Sequence, residues 1–189
     1  MDSSLVPGMQ EPVPGMQEPG AIEVVVGDAE GHPGVDRDAL AALAARVLDA
    51  EGATGLGELS LSFVSEAEMA ALNERYRGKE GPTDVLSFSL DDPAYPADPG
   101  VPLLLGDVVI CPSVAAANAP AHGSSFEEEM ALLVVHGVLH LLGMDHEDPA
   151  EAELMEGAEI RHLERFFRSM GGRGVSGESA NGDPPSRRR

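Results

Sequence analysis

The segment HGVLHLLGMDH (136–146) contains three closely spaced histidines. His136 and His140 are four residues apart, which places both imidazoles on one helix face with Cβ atoms about 5–6 Å apart. Gly143 follows three residues later, where a left-handed cap would end the helix and turn His146 back towards the same point. Three neutral imidazoles with one open coordination position are typical of catalytic zinc. We therefore predict one zinc ion per chain, held by these three histidines.

The residue that follows the first of these histidines is a glycine, Gly137. In H-E-x-x-H zinc proteases, a glutamate at this position carries the proton that the departing amine needs. A phosphodiester depends less on that proton and more on neutralisation of charge at its phosphoryl oxygens. The glycine therefore favours a phosphate ester over a peptide as the substrate.

A small basic cluster interrupts a strongly acidic chain, in which 33 acidic side chains face 12 basic ones. Arg75, Arg77 and Lys79 lie within the segment NERYRGKEG, and the guanidinium of Arg77 can bind two phosphoryl oxygens at once. The alternative for Arg77 is a solvated basic helix end that the helix dipole favours. Because an acidic surface repels polyanions, we hypothesise a small positive pocket, formed by zinc and Arg77, inside a negative shell. The few aromatic candidates for base stacking are Tyr76, Phe88 and Tyr95.

Four carboxylates are candidates for moving protons or orienting a ligand. Glu129 shares a helix face with His136 but lies two turns away, roughly 10 Å. Asp145 either hydrogen-bonds a ligand imidazole or caps the turn that contains it. Asp84 and Asp107 lie beside predicted strands. The sequence does not choose among them, nor between water and the 2′-hydroxyl of RNA as the group that attacks phosphorus.

Hydrophobic periodicity predicts alternating strands and helices. The strands are expected at 22–26, 57–64, 83–90 and 103–111, and the helices at 36–52, 65–77, 125–143 and 148–170. Four prolines predict a loop at 91–102. The helix that contains His136 and His140 is apolar on nearly every side and is therefore expected to be buried. The order β-α-β-α-β-β-α-α indicates an α/β (α+β) fold with a four-stranded mixed sheet packed with helices, and places the zinc site on the buried helix and the turn after it.

The chain length of 189 residues is that of one domain. We assign residues 21–170 to the zinc-dependent domain, and predict disorder for the arm 1–20, which repeats VPGMQEP, and for the tail 171–189. Cys111 is the only cysteine, which excludes an intramolecular disulfide and a cysteine zinc cluster. With neither a signal-peptide pattern nor an apolar run of membrane length, a cytoplasmic location is expected.

Three motifs together carry a family resemblance. HGVLHLLGMDH, YRGKEGPTDVLSF (76–88) and LGDVVIC (105–111) closely resemble the YbeY family of bacterial endoribonucleases, also called rRNA maturation factors, over about residues 22–170. This resemblance implies zinc-dependent cleavage of single-stranded RNA in ribosomal RNA maturation and ribosome quality control. It implies His136, His140 and His146 as zinc ligands and Arg77 as the functional arginine. It also suggests the small ribosomal subunit and an Era-type GTPase as partners.

Two other functions stay open. A zinc peptidase is one, because His136, His140, Gly143 and His146 match the metzincin spacing, although the glutamate is missing. The other is a non-enzymatic ribosome-assembly factor in which zinc only stiffens the fold. A zinc nucleobase deaminase is excluded, since the chain lacks both H-x-E and paired cysteines.

Overall fold

The computed structural model describes residues 22–28, 31–53, 55–91, 101–146 and 148–171. The predicted arm 1–20 lies outside these residues, as does the predicted tail apart from Gly171. Most of the predicted proline-rich loop also lies outside them, including Tyr95. The domain boundaries assigned from the sequence therefore stay predictions.

The described residues form four strands and five helices. The strands are β1 (Ile22–Asp28), β2 (Gly57–Phe63), β3 (Val85–Ser89) and β4 (Leu103–Ile110), and the helices are α1 (Arg37–Ala50), α2 (Glu66–Arg77), α3 (Pro112–His122), α4 (Phe126–Leu141) and α5 (Pro149–Ser169). Every predicted strand and helix is present, with ends within two residues of the predicted ones. The predicted order is wrong in one respect, because it omits α3.

The four strands form one mixed sheet in the order β1-β2-β4-β3. β1, β2 and β4 are mutually parallel, whereas β3 pairs antiparallel with β4. The predicted α/β fold with a four-stranded mixed sheet is confirmed. β3 is an edge strand of this sheet.

Local signals explain where the helices on either side of β3 begin and end. Ser65 and Glu68 form the predicted capping box of α2, and Gly78 ends that helix with a φ of 64°. Ser125 and Glu128 form a second capping box at the start of α4. These caps fix the C-terminal turn of α2, which carries Arg77, and the register of α4, which carries two histidines.

The unpredicted helix α3 has two prolines and five alanines within eleven residues. Pro112 stands at its start, where a missing N–H costs nothing, and Pro120 stands in its last turn. Because alanines bury little area, the segment shows no strong apolar period. Tertiary packing of Ala115 and Ala119 supplies what the sequence pattern lacks.

The main hydrophobic core lies between one face of the sheet and α1, α4 and α5. α4 is central to it and packs against β3, β4 and three helices, so the predicted burial of this helix is confirmed. The alternation of β4 sends Val108 into this core and Val109 into a smaller cluster on the other face, with Met69 and Leu86. α2 therefore covers the face of β3 and β4 opposite to α4.

None of the helices among the described residues combines the length and the apolar character needed to cross a membrane.

Candidate metal centre

The C-terminal part of α4 and the turn after it bring the three predicted histidines together. The Nε2 atoms of His136 and His140 are 3.1 Å apart. Gly143 has a φ of 85° and ends the helix as predicted. The ring centroid of His146 then lies 5.6 Å from that of His136 and 5.0 Å from that of His140. One ring nitrogen from each histidine can be chosen so that all three lie within 4.8 Å of one another.

A carboxylate on α5 orients the first histidine. Glu159 Oε1 lies 2.8 Å from Nδ1 of His136, and the carboxylate accepts the Nδ1–H. The lone pair of Nε2 therefore faces His140, as metal-binding histidines require. Asp145, considered for this role from the sequence, instead accepts the backbone N–H of His146 at 2.7 Å and caps the turn.

The charge state of His140 suits a cation. Burial lowers the pKa of His140, and the neighbouring His136 and His146 lower it further. The imidazole therefore stays neutral, which is the form that binds metal. In a tetrahedral zinc site with Zn–N distances of about 2.0–2.1 Å, ligand nitrogens are about 3.3 Å apart. The 3.1 Å between the Nε2 atoms of His136 and His140 is close to that value, so this pair fits a metal ion of this kind. His146 brings a third nitrogen within 4.8 Å of both.

Gly137 faces the sheet. A Cβ atom built there would lie 2.5 Å from Val108 Cγ1 and 3.2 Å from Ser87 Oγ. Ser87 Oγ also donates to the Gly137 carbonyl at 3.2 Å. The glycine thus allows α4 to approach β3 and β4 closely, and a glutamate side chain would start against the sheet.

An open cleft of about 600 Å³ joins the histidines to the basic segment. His136, His140 and His146 line one side of it, and Tyr76 and Arg77 at the end of α2 line the other. β3 lies between the two sides. The structure therefore brings Arg77, predicted from a separate segment, to the same cleft as the three histidines.

The cleft includes one of the carboxylates proposed from the sequence. Asp84 lines it, but its Oδ1 accepts the Val85 N–H at 2.9 Å and the Thr83 hydroxyl at 3.1 Å. Its Oδ2 accepts from Asn118 Nδ2 at 3.3 Å. Asp107 lies on β4, paired with Phe88.

Glu129 is a buried carboxylate with its own set of hydrogen-bond partners. Only 1% of Glu129 is exposed, and its Oε1 lies 2.9 Å from Nδ1 of His122. Its Oε2 accepts from the Ser124 hydroxyl at 2.8 Å. This carboxylate connects the end of α3 to α4 and is not among the cleft-lining residues.

The sequence reasoning missed Glu159, since it stands 23 residues after His136 on a helix rich in exposed acids. No spacing rule selects it from that helix. Only the packing of α5 against α4 identifies the residue.

Comparisons with known proteins agree on one family. The family model described as Endoribonuclease YbeY matches residues 28–167. A protein named Endoribonuclease YbeY from Salinispora tropica is 45% identical over 141 residues, which cover 71% of this chain and 90% of that protein. Its namesake from Frankia alni is 43% identical over 174 residues, covering 85% and 96% of the two chains.

A solved structure shares the fold. The solution structure of TM1509 from Thermotoga maritima aligns with a TM-score of 0.54 and 26% sequence identity, covering 88% of this chain and 99% of the other. The family match spans well over half of the chain and includes both sides of the cleft. The chain belongs to the YbeY family.

Proposed function

We propose that this protein is a zinc-dependent endoribonuclease that cleaves single-stranded RNA. The observation that carries the proposal is the cleft in which three convergent imidazoles and the guanidinium of Arg77 line opposite sides. The names of the relatives support an endoribonuclease activity. His136, His140 and His146 are proposed as the zinc ligands, and Arg77 as the catalytic residue that binds phosphate.

The proposed mechanism assigns separate tasks to the two sides of the cleft. Arg77 binds two phosphoryl oxygens and strengthens its hydrogen bonds as negative charge grows on them. Glu159 holds His136 with its Nε2 lone pair towards the cleft. Zinc, when bound, supplies a Lewis acid for the phosphodiester. Asp84 orders the start of β3 through the Val85 N–H and the Asn118 amide, so this carboxylate has a positioning role.

The charge distribution limits which RNA can bind. The formal net charge is −21, so most of the surface repels a polyanion. Attraction is confined to the cleft, and a strand must enter it to gain contacts. We therefore propose weak, salt-sensitive binding of single strands and poor binding of naked duplexes.

The cellular setting is part of the proposal. An endoribonuclease of this family is proposed to act in ribosomal RNA maturation and ribosome quality control, in the cytoplasm. The small ribosomal subunit and an Era-type GTPase are the proposed partners, on family resemblance.

Cleavage of an end-labelled single-stranded RNA by the zinc-loaded protein tests this function. The test compares wild type, Arg77→Ala, a chelated sample, and Lys79→Ala as a matched control that removes a nearby charge outside the cleft lining. We expect cleavage to be lost on chelation and in Arg77→Ala, with zinc content unchanged in that variant, and to persist in Lys79→Ala. Equal loss of cleavage in Arg77→Ala and Lys79→Ala would indicate that Arg77 contributes only positive charge to the region, without a specific contact to phosphate.

Two other results would replace the proposal. Cleavage of casein, with the RNA left intact, would indicate a peptidase. A zinc-loaded protein that cleaves neither substrate would favour the assembly factor. In that case Arg77→Ala would leave function in ribosome assembly unchanged, whereas His136→Ala would abolish it through loss of stability.

A further inference from the structure

The outer side of β3 has no strand partner among the residues that the structure describes. Cys111 N–H donates to the Asp84 carbonyl at 2.8 Å, and Leu90 N–H donates to the Leu105 carbonyl at 3.1 Å. In the antiparallel register of β3 on β4, these bonds place the even-numbered residues of β3 in hydrogen-bonded pairs. The backbone N–H and C=O groups of the odd-numbered residues therefore point outwards.

Ser87 and Ser89 are the two outward positions whose backbone groups remain available to a ligand in the cleft. Val85 N–H donates to the Asp84 carboxylate at 2.9 Å, which is the position that the register predicts for an outward amide. Ser87 and Ser89 also line the cleft. Their N–H and C=O groups form a row of alternating donors and acceptors along the open edge.

The side chains of β3 alternate between the two sides of the cleft. Phe88 points to the α2 side, where its ring centroid lies 4.9 Å from that of Tyr76. Tyr76 is 56% exposed. Ser87 points to the α4 side and contacts Gly137. A chain lying along the edge would thus have Arg77 and an aromatic ring on one flank and the histidines on the other.

We propose that unpaired RNA bases bind along this edge, where the backbone groups of Ser87 and Ser89 hydrogen-bond to base edges while Arg77 holds a phosphate. The inference rests on the proposed endoribonuclease function and identifies the backbone groups that would make the enzyme prefer single-stranded RNA. Bases in a duplex use their Watson–Crick edges on each other, so those edges are not available to the backbone groups of β3. An extended peptide could pair with the edge too, but it brings no phosphate for Arg77.

Proline at position 89 tests the backbone contact. Ser89→Pro removes an outward N–H that β4 does not use, and proline is tolerated at such edge positions. Ser89→Ala is the matched control, because it removes the hydroxyl but keeps the amide. For cleavage of single-stranded RNA, we expect the KM of the proline variant to be roughly three- to tenfold above that of the alanine variant, with equal kcat and zinc content. Duplex binding should not differ between the two variants.

The outcomes separate this inference from the activity itself. If wild type cleaves RNA and the two folded variants have equal KM, the edge contact is wrong and the endoribonuclease function stands. If wild type does not cleave but the proline variant binds single strands more weakly than the alanine variant, the edge contact stands and the activity is wrong. Weaker binding of an extended peptide by the proline variant, with RNA binding unchanged, would overturn the inference in favour of a peptide.

Amide hydrogen exchange on the wild-type protein provides a second test that needs no substitution. In the free protein, the amides of Ser87 and Ser89 should exchange faster than those of Leu86 and Phe88, which donate to β4. Addition of a cleavage-resistant single-stranded RNA should slow exchange at Ser87 and Ser89. Unchanged exchange at saturating RNA would overturn the inference.

Discussion

Replacing Gly137 with alanine tests whether the central helix must lie so close to the sheet. The added Cβ would be 2.5 Å from Val108 Cγ1 and 3.1 Å from Val108 Cγ2. Val108 is fully buried in the middle of β4, and its branched side chain has little rotamer freedom. The contact must therefore be relieved by a shift of α4 or of the strand.

The magnitude follows from two opposing effects. Overpacking a buried site costs about 1–3 kcal/mol, while alanine in place of glycine favours a helix by about 1 kcal/mol. We expect Gly137→Ala to lower the free energy of unfolding by about 1 kcal/mol, which is about 3 °C in Tm for a domain of this size. The assay is urea unfolding followed by circular dichroism, with chelator present so that zinc binding does not contribute.

Val108→Ala provides the matched background, since it removes both Cγ atoms that Gly137→Ala would meet. In that background the contacts with Val108 are absent and only Ser87 Oγ, at 3.2 Å, remains close. Gly137→Ala should then raise the free energy of unfolding by up to about 1 kcal/mol. The change in the free energy of unfolding caused by Gly137→Ala thus has opposite signs in the wild type and in Val108→Ala. Equal destabilisation in both backgrounds, or stabilisation in the wild type, would refute the close approach of α4 to β4.

Four further substitutions test the metal site and two local hydrogen-bond networks. Glu159→Gln should raise the Kd for zinc about tenfold, because the neutral amide polarises His136 less, and competition with a chromophoric chelator measures this; an unchanged Kd would contradict the orienting role. Ser65→Ala should cost about 1 kcal/mol in urea unfolding through loss of the α2 cap. Hydrogen bonds from Ser65 lower the pKa of Glu68 below 4.5. The ionised Glu68 therefore stabilises the folded protein above pH 4.5, and this stabilisation is lost as the pH falls through the lowered pKa of the folded state. Glu68→Gln should remove that part of the pH dependence of stability. Glu129→Ala should cost about 2 kcal/mol in thermal unfolding, because it leaves a cavity at a buried position and removes the hydrogen bonds to His122 and Ser124, and should leave the Kd for zinc unchanged.

The fold was predictable wherever burial imposes a period. In β2, Leu59, Leu61 and Phe63 are buried and the serines between them are partly exposed, as strand alternation requires. α3 was missed because it is stabilised by close contact of small residues, which leaves no apolar period, and because Pro120 resembles a helix breaker. Its existence depends on packing against α4, which no local pattern encodes.

The site was predictable to the extent that one local segment encodes it. His136, His140 and His146 share a helix turn and its cap, so their spacing is sufficient to bring them together. Glu159 was not predictable, because its contact with His136 depends on how α5 packs on α4. The sequence indicated Arg77 through its residue type, the basic cluster around it and the family resemblance. Its position across the cleft depends on α2 covering the other face of the sheet.

The geometry around Gly137 also weighs between the two hydrolytic chemistries. A peptidase needs a carboxylate that is free to carry a proton, and position 137 is directed at Val108 rather than at the cleft. Among the described residues that line the cleft, Asp84 is the only carboxylate, and it already accepts three hydrogen bonds. Proton transfer to an amine therefore has no evident donor on these residues. Neutralisation of phosphoryl charge needs only cationic groups, and Arg77 with a metal at the three histidines would supply them.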